Sequence, residues 1–367
     1  MKIRVNRLAL SETLSLVGSV VPSRTPKPVL RGVLMYTQGD TLRLYGTDLE
    51  LSIDAGLSQV EIERQGRVLL DADRIVGIVR EGGDEVLDFD VAGDACTIVG
   101  SDSRYKVYTL DIEQYPIVVP ASKAGGLSVS LKDMREAARQ VVFAAAKESS
   151  RYAINGVLFE LKGKRLGLVA TDGRRLARRR VNGTVSEGCQ LAAQRVIVPT
   201  KALALVERLG EDGEELSMDL SGNQIVISCG DVAICSNLVE GTFPKYEDII
   251  PSDYQRRLEL DTLAFSSAIK RAALLTTDQA KGIKISITSD KMVLSSRAPE
   301  AGDAEVTMPI SAGCQPLDIG FNPQYLLEAL RVVQAPRIQL ELGEADRPAI
   351  IKAEPDFLYL VMPINLG

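Results

Sequence analysis

Apolar positions along the chain follow two periods. Leu131, Met134, Ala138, Val141 and Ala145 recur at spacings of three and four, which places them on one face of a helix. Phe265, Ala268, Ala272 and Leu275 repeat that spacing. Shorter helical runs are predicted over 73–79, 201–209 and 323–333, and Ser130, Thr200 and Asn322 stand where N-caps belong. Between these stretches lie Val-, Ile- and Leu-rich segments broken by turn triplets such as Gln38-Gly39-Asp40 and Lys162-Gly163-Lys164. Runs of strands with segregated helices predict an α+β class with antiparallel sheets.

The pattern repeats. Leu30-Arg31-Gly32-Val33-Leu34-Met35 matches Ile154-Asn155-Gly156-Val157-Leu158-Phe159 at an offset of 124, and Thr47-Asp48 then falls on Thr171-Asp172. A fainter third copy places Gly282-Ile283 126 residues beyond Gly156-Val157. The ends also correspond: Gln114-Tyr115-Pro116 matches Thr242-Phe243-Pro244, and the last copy closes with Val361-Met362-Pro363. Three tandem copies of one domain explain the length better than three unrelated ones. Proline-marked joints near Pro116–Pro120 and Pro251 set the expected domains at 1–124, 125–252 and 253–367.

The 367 residues are 45% hydrophobic and 25% charged, ordinary values for a globular chain. No apolar run approaches the roughly 20 residues of a membrane span, and the N-terminus lacks a signal-like apolar core. A cytoplasmic protein without a membrane partner is expected. Histidine is absent, which excludes His-based triads and His metal ligands. The five cysteines form no CxxC, so a zinc ribbon or dithiol site lacks support. No GxxxxGK[ST] or GxGxxG occurs either. Neither a metal nor a cofactor is expected.

Net charge is −6, yet it is unevenly spread. Residues 125–252 hold 17 basic against 16 acidic side chains, whereas 1–124 hold 14 against 18. Five arginines fall within Arg174-Arg175-Leu176-Ala177-Arg178-Arg179-Arg180. Strand alternation puts Arg175 and Arg179 on one face and Arg174, Arg178 and Arg180 on the other. Two readings are open: contact with phosphate or a docking partner, or a solvated edge paired with carboxylates. Basic residues also mark the helices, among them Lys132, Arg135, Arg139, Lys201, Arg208, Lys270, Arg271, Arg74, Arg80 and Arg331. A basic surface inside an acidic protein suits sequence-independent DNA binding. The C-terminus continues past Pro363 into Ile364 and Leu366, which suggests an apolar groove for a peptide.

Five segments together carry a specific resemblance. They are Arg151–Glu160, Ala170–Ala177, Glu240–Tyr246, Phe321–Leu326 and Tyr359–Pro363. They run through all three copies in order, and the chain resembles the bacterial DNA polymerase III beta subunits, the sliding clamps. The resemblance implies a three-domain chain with two helices per domain packed on antiparallel sheets. Two chains would join head to tail as a homodimer, a six-domain ring lined by helices around double-stranded DNA. Such a protein is not an enzyme. It tethers the replicative polymerase alpha subunit and other clamp-binding-motif proteins of replication and repair, after an ATP-driven clamp loader opens it.

The resemblance also implies site residues. A partner-peptide pocket between the second and third domains would be lined by Ile154, Thr171, Gly173, Arg174, Arg175, Leu176, Pro244, Ile249, Leu360, Met362, Pro363 and Ile364. DNA-facing candidates are Arg24, Arg151, Tyr152 and Lys201. At the ring interface Tyr105 and Val107 would meet Leu274 and Leu275 of the other chain, with Arg104 and Lys106 near Glu300, Asp303 and Glu305. Arg174, Asp248, Ala153 and Asn365 depart from the family's common residues. The contrasting reading is a carboxylate-dependent enzyme or a transcriptional regulator on a repeated domain.

Overall fold

The computed structural model describes residues 1–116, 126–148, 153–251, 253–310 and 315–365. Arg151, Tyr152, Cys314, Leu366 and the expected boundaries at 124 and 252 lie outside the described residues. Two compact units emerge. One comprises 1–132, 184–193 and 201–238; the other comprises 133–183, 194–200 and 239–367.

Every strand pairing between neighbours in the sheets is antiparallel. The first unit holds a five-stranded sheet, ordered 60–64, 2–6, 86–92, 95–99 and 104–108, and a nine-stranded sheet. The second holds an eight-stranded sheet and a four-stranded one ordered 302–309, 291–298, 283–287 and 317–321. The larger sheets each join strands from two repeats. In the first unit Leu51–Leu57 pairs with Val232–Asn237, Ser52 opposite Cys235. In the second Arg175–Asn182 pairs with Phe357–Val361, Leu176 opposite Leu360. We call these the first and second seams.

Among the described residues, six α-helices accompany the sheets: α1 (Arg7–Gly18), α2 (Ala72–Glu81), α3 (Leu131–Val142), α4 (Thr200–Val206), α5 (Thr262–Ala272) and α6 (Pro323–Val332). Their caps follow local chemistry. Asn322 accepts a hydrogen bond from the Gln324 amide, and Pro323 opens α6 where a missing N–H costs nothing. Asp261 and Asp71 cap α5 and α2 in the same way. Several expected ends shift. Helix α3 stops before Ala145, α5 gives way to a 3-10 turn containing Leu275, and α4 stops before Arg208 and Leu209. Thr200 is the first residue of α4 rather than the residue before it.

The cores are mainly aliphatic, with Tyr45, Tyr359, Phe89, Phe159, Phe265 and Phe321 also fully buried. Leu10, Leu14 and Val17 of α1 are fully buried. Backbone and helix approach closely there: a Cβ at Gly46 would lie 2.9 Å from both Val17 Cγ1 and Val17 O. Cys96, Cys189, Cys229 and Cys235 are buried free thiols. No described helix is long and apolar enough to cross a membrane.

Candidate functional site

The second seam begins at a turn that the sequence builds for itself. Thr171 Oγ1 donates to Arg175 O at 2.6 Å and accepts from the Gly173 amide at 3.1 Å. Asp172 Oδ1 accepts from the amides of Arg174 (2.9 Å) and Arg175 (3.1 Å). The short oxygens of Thr and Asp thereby satisfy three backbone donors that the reversal leaves unpaired. Gly173 sits at φ +85, where a Cβ is disfavoured, and nothing lies within 4 Å of where that Cβ would be. The turn is open towards its outer side.

The chain end docks onto this turn. The Met362 amide donates to Arg174 O at 2.9 Å, and the Ile364 amide donates to Gly320 O at 2.9 Å. Beside it lies an apolar cluster of Ile154, Leu158, Val169, Leu176, Ile197, Phe243, Tyr246, Ile350, Leu358 and Leu360, with Ile250 packed against it. Leu176 and Leu360 are opposite one another across the seam and are fully buried, as is Ile350 on the next strand. Met362 and Ile249 are exposed above this floor, at 39% and 47%. Pro244, Pro363 and Ile364 are half-buried, and Arg174 is exposed. The second unit therefore brings Ile154, Leu176 and Leu360 together as a floor. Rims come from the 171–175 turn, the 244–249 segment and the 362–364 chain end.

Arg175 lies apart from that floor. Alternation turns it to the opposite face from Leu176, and it is buried. Its Nε donates to Asp172 Oδ2 at 3.0 Å, Nη1 pairs with Glu328 of α6, and Nη2 donates to Phe143 O at 3.0 Å. The guanidinium also lies 4.5 Å from the Tyr325 ring centroid. Burial works against its charge, but the bond to Glu328 and the nearby Tyr359 and Asp172 outweigh this and raise its pKa. Arg175 holds the turn from its inner side. Arg179 is buried on the same face, and burial lowers its pKa. The arginine-rich segment is thus an interior strand with neighbours on both sides, which overturns the solvated-edge reading. Phosphate contact is equally excluded for Arg175 and Arg179, since both guanidinium groups are enclosed.

The remaining expected residues fall elsewhere. Arg24 is exposed in the loop after α1, and Lys201 is exposed on α4. Tyr105 is 40% exposed on the Arg104–Tyr108 edge strand. Val107, on the same strand, is buried at 6%. Leu274 is 78% exposed, whereas Leu275 is half-buried. Among the described residues no group of three or more His, Cys, Asp or Glu is placed to hold a metal ion. Sequence reasoning missed Glu328 and Tyr325, which hold Arg175, and Glu160, which binds the Tyr246 hydroxyl. Glu160 carried a signal: it shares the strand face of Leu158, an odd place for a carboxylate without partners.

Comparison with known proteins accounts for the whole chain. Family models of the DNA polymerase III beta subunit match in order: the N-terminal domain over residues 1–120, the central domain over 128–245 and the C-terminal domain over 247–365. The beta sliding clamp of Pseudomonas putida is 30% identical over 370 residues, covering 100% of both chains. That of Caulobacter vibrioides is 28% identical over 377 residues, again covering 100% of both. Among solved structures, a DnaN sliding clamp from Pseudomonas aeruginosa bound to griselimycin superposes with a TM-score of 0.93 at 29% identity. The sliding clamp from Bacillus subtilis gives 0.94 at 25% identity; both cover 100% of each chain. On these matches, which run through all three repeats, the chain belongs to the DNA polymerase III beta subunit family, the beta sliding clamps.

Proposed function

We propose that this chain is a DNA sliding clamp: a tether that encircles duplex DNA and holds the replicative polymerase through a peptide groove at the second seam. The observation that carries this reading is the docking of the chain end onto the Thr171–Arg175 turn beside a leucine-floored cluster. That arrangement sets a buried leucine layer beneath polar rims, against which the Gln and Leu or Phe anchors of a short partner peptide would pack. The lining is Ile154, Thr171, Gly173, Arg174, Leu176, Pro244, Ile249, Leu360, Met362, Pro363 and Ile364, with Arg175 behind it. The clamp loader and the clamp-binding-motif proteins of repair use the same groove.

Two free sheet edges support a head-to-tail dimer. Arg104–Tyr108 ends one sheet and exposes Arg104, Lys106 and Tyr108; Gly302–Pro309 ends another and exposes Asp303 and Glu305. Open edges with opposite charge are natural partners between two copies. Leu274 and Tyr105 would meet there. Three domains, 1–124, 125–252 and 253–367, then give a six-domain ring. Lys201, Arg24, Arg151 and Tyr152 would touch the DNA backbone without reading sequence. The clamp performs no chemistry, needs no cofactor and works in the cytoplasm.

The test is retention after loading on nicked circular DNA, followed by linearisation. Loss of the protein on cutting is expected, because a ring slides off free ends. Equal retention on circles and linear DNA would show direct binding and sink the ring.

A further inference from the structure

The Pro244–Ile249 wall of the groove has little backbone of its own to hold it. It belongs to no sheet. Its neighbours are tied by the Val239 amide donating to Ile197 O at 2.8 Å and the Ala153 amide donating to Thr242 O at 3.3 Å. The 3-10 turn Tyr246–Ile249 has no side-chain cap. Something else must fix where Pro244 and Ile249 stand.

A buried carboxylate supplies that hold. Tyr246 is 1% exposed, and its ring meets Phe243 edge-on at 6.4 Å. Its hydroxyl donates to Glu160 Oε1. Glu160 is 4% exposed, in the middle of the Gly156–Lys162 strand. Glu160 Oε2 lies 3.3 Å from Lys162 Nζ and 3.5 Å from Arg195 Nε. Arg195 then reaches back to the wall. Its guanidinium lies 5.6 Å from the Tyr246 ring centroid, and Nη2 is 3.3 Å from Glu247 Oε1. A buried carboxylate is costly unless paired and hydrogen-bonded: Oε1 takes the Tyr246 hydroxyl, while Oε2 has no hydrogen bond and is compensated by the charges of Lys162 and Arg195. The wall is fastened at two consecutive residues, Tyr246 by ring and hydroxyl and Glu247 by charge.

We propose that Glu160 is a positioning residue of the peptide groove, acting through Tyr246 and Arg195 to set the Pro244–Ile249 wall against which a partner peptide's apolar anchor packs. This rests on the reading of the second seam as the peptide site. Glu160 itself never touches the peptide. Removing its hold lets the wall shift, and a shift of one wall costs affinity only for ligands whose anchor reaches it.

The experiment measures binding of a fluorescein-labelled peptide with Gln and Leu-Phe anchors to the full-length protein, with thermal unfolding alongside. Tyr246→Phe deletes the hydroxyl and keeps the ring; about tenfold weaker binding is expected, the scale of one hydrogen bond to a charged acceptor. Arg195→Ala leaves Glu160 its Lys162 and Tyr246 contacts and is expected to weaken binding about threefold, with the unfolding curve reporting any loss of stability. A second peptide with the Leu-Phe anchor cut to Ala separates positioning from mere stability: its affinity for wild type and Tyr246→Phe should be equal. If both variants bind the anchored peptide like wild type while Met362→Ala does not, the positioning role is wrong and the groove stands. If Met362→Ala also binds normally, the groove reading and the inference fall together. Equal loss for both peptides would also overturn the proposal, because it would mean general destabilisation.

Discussion

The two seams share one construction and differ in what covers it. At the first, Thr47 Oγ1 donates to Leu51 O at 3.0 Å and accepts from the Leu49 amide at 2.9 Å. Asp48 Oδ1 accepts from the amides of Glu50 (2.9 Å) and Leu51 (2.8 Å). The next repeat docks on the same atom of the turn: the Asn237 amide donates to Glu50 O, as the Met362 amide donates to Arg174 O. Strand register is identical as well, so positions can be compared one for one. Leu176, Leu360 and Leu358 of the second seam correspond to Ser52, Cys235 and Ala233 of the first. Ile350 corresponds to Val226. The first seam thus has small and polar side chains where the second has leucines. The two seams share a scaffold and differ in a few side chains, and the proposed peptide groove rests on that difference.

Importing the first seam's residues into the second should break the comparison most. Leu176→Ser with Leu360→Cys removes most of the buried floor and is expected to cost about 5 kcal/mol in urea unfolding, with peptide binding abolished. Arg175→Leu, again the first copy's residue, strips Asp172 and Glu328 of their shared cation. A loss near 3 kcal/mol is expected from the same unfolding curves, with Glu328→Gln recovering part of it. Met362→Ala acts on an exposed side chain. Peptide affinity should fall about tenfold by fluorescence anisotropy with no change in melting temperature. Changing Glu50→Ala at the first seam should leave peptide affinity untouched. The smallest effect concerns the turns. Leu49 sits at φ +82 where its counterpart is Gly173, so Gly173→Leu should cost about 1 kcal/mol of stability through backbone strain alone.

Much of this organisation is legible in the sequence, and the reason is locality. The Thr171-Asp172 and Thr47-Asp48 matches report turns that five consecutive residues fully determine. Asn322-Pro323 announces a helix start for the same reason. Alternation correctly separates Arg175 and Arg179 from Arg178 and Arg180, but it cannot say which face is buried. That depends on α3 and α6, distant in sequence. The leucine floor is harder still, because Leu176 and Leu360 become neighbours only once strands of different repeats pair. Glu160 and Tyr246 meet across a similar gap, and nothing local marks them as partners. Val107 is a further case: it lies on an edge strand, and only the folded chain shows that its side chain is buried there.

Amide hydrogen exchange on the full-length protein, with and without a saturating Gln/Leu-Phe peptide, tests the central claim most directly. Protection confined to 171–176, 244–250 and 360–364 is the expected result, placing the ligand on the second seam. Protection at 47–52 and 234–237, or equal protection at both, would contradict the account, since side-chain differences between the seams would then have no bearing on binding.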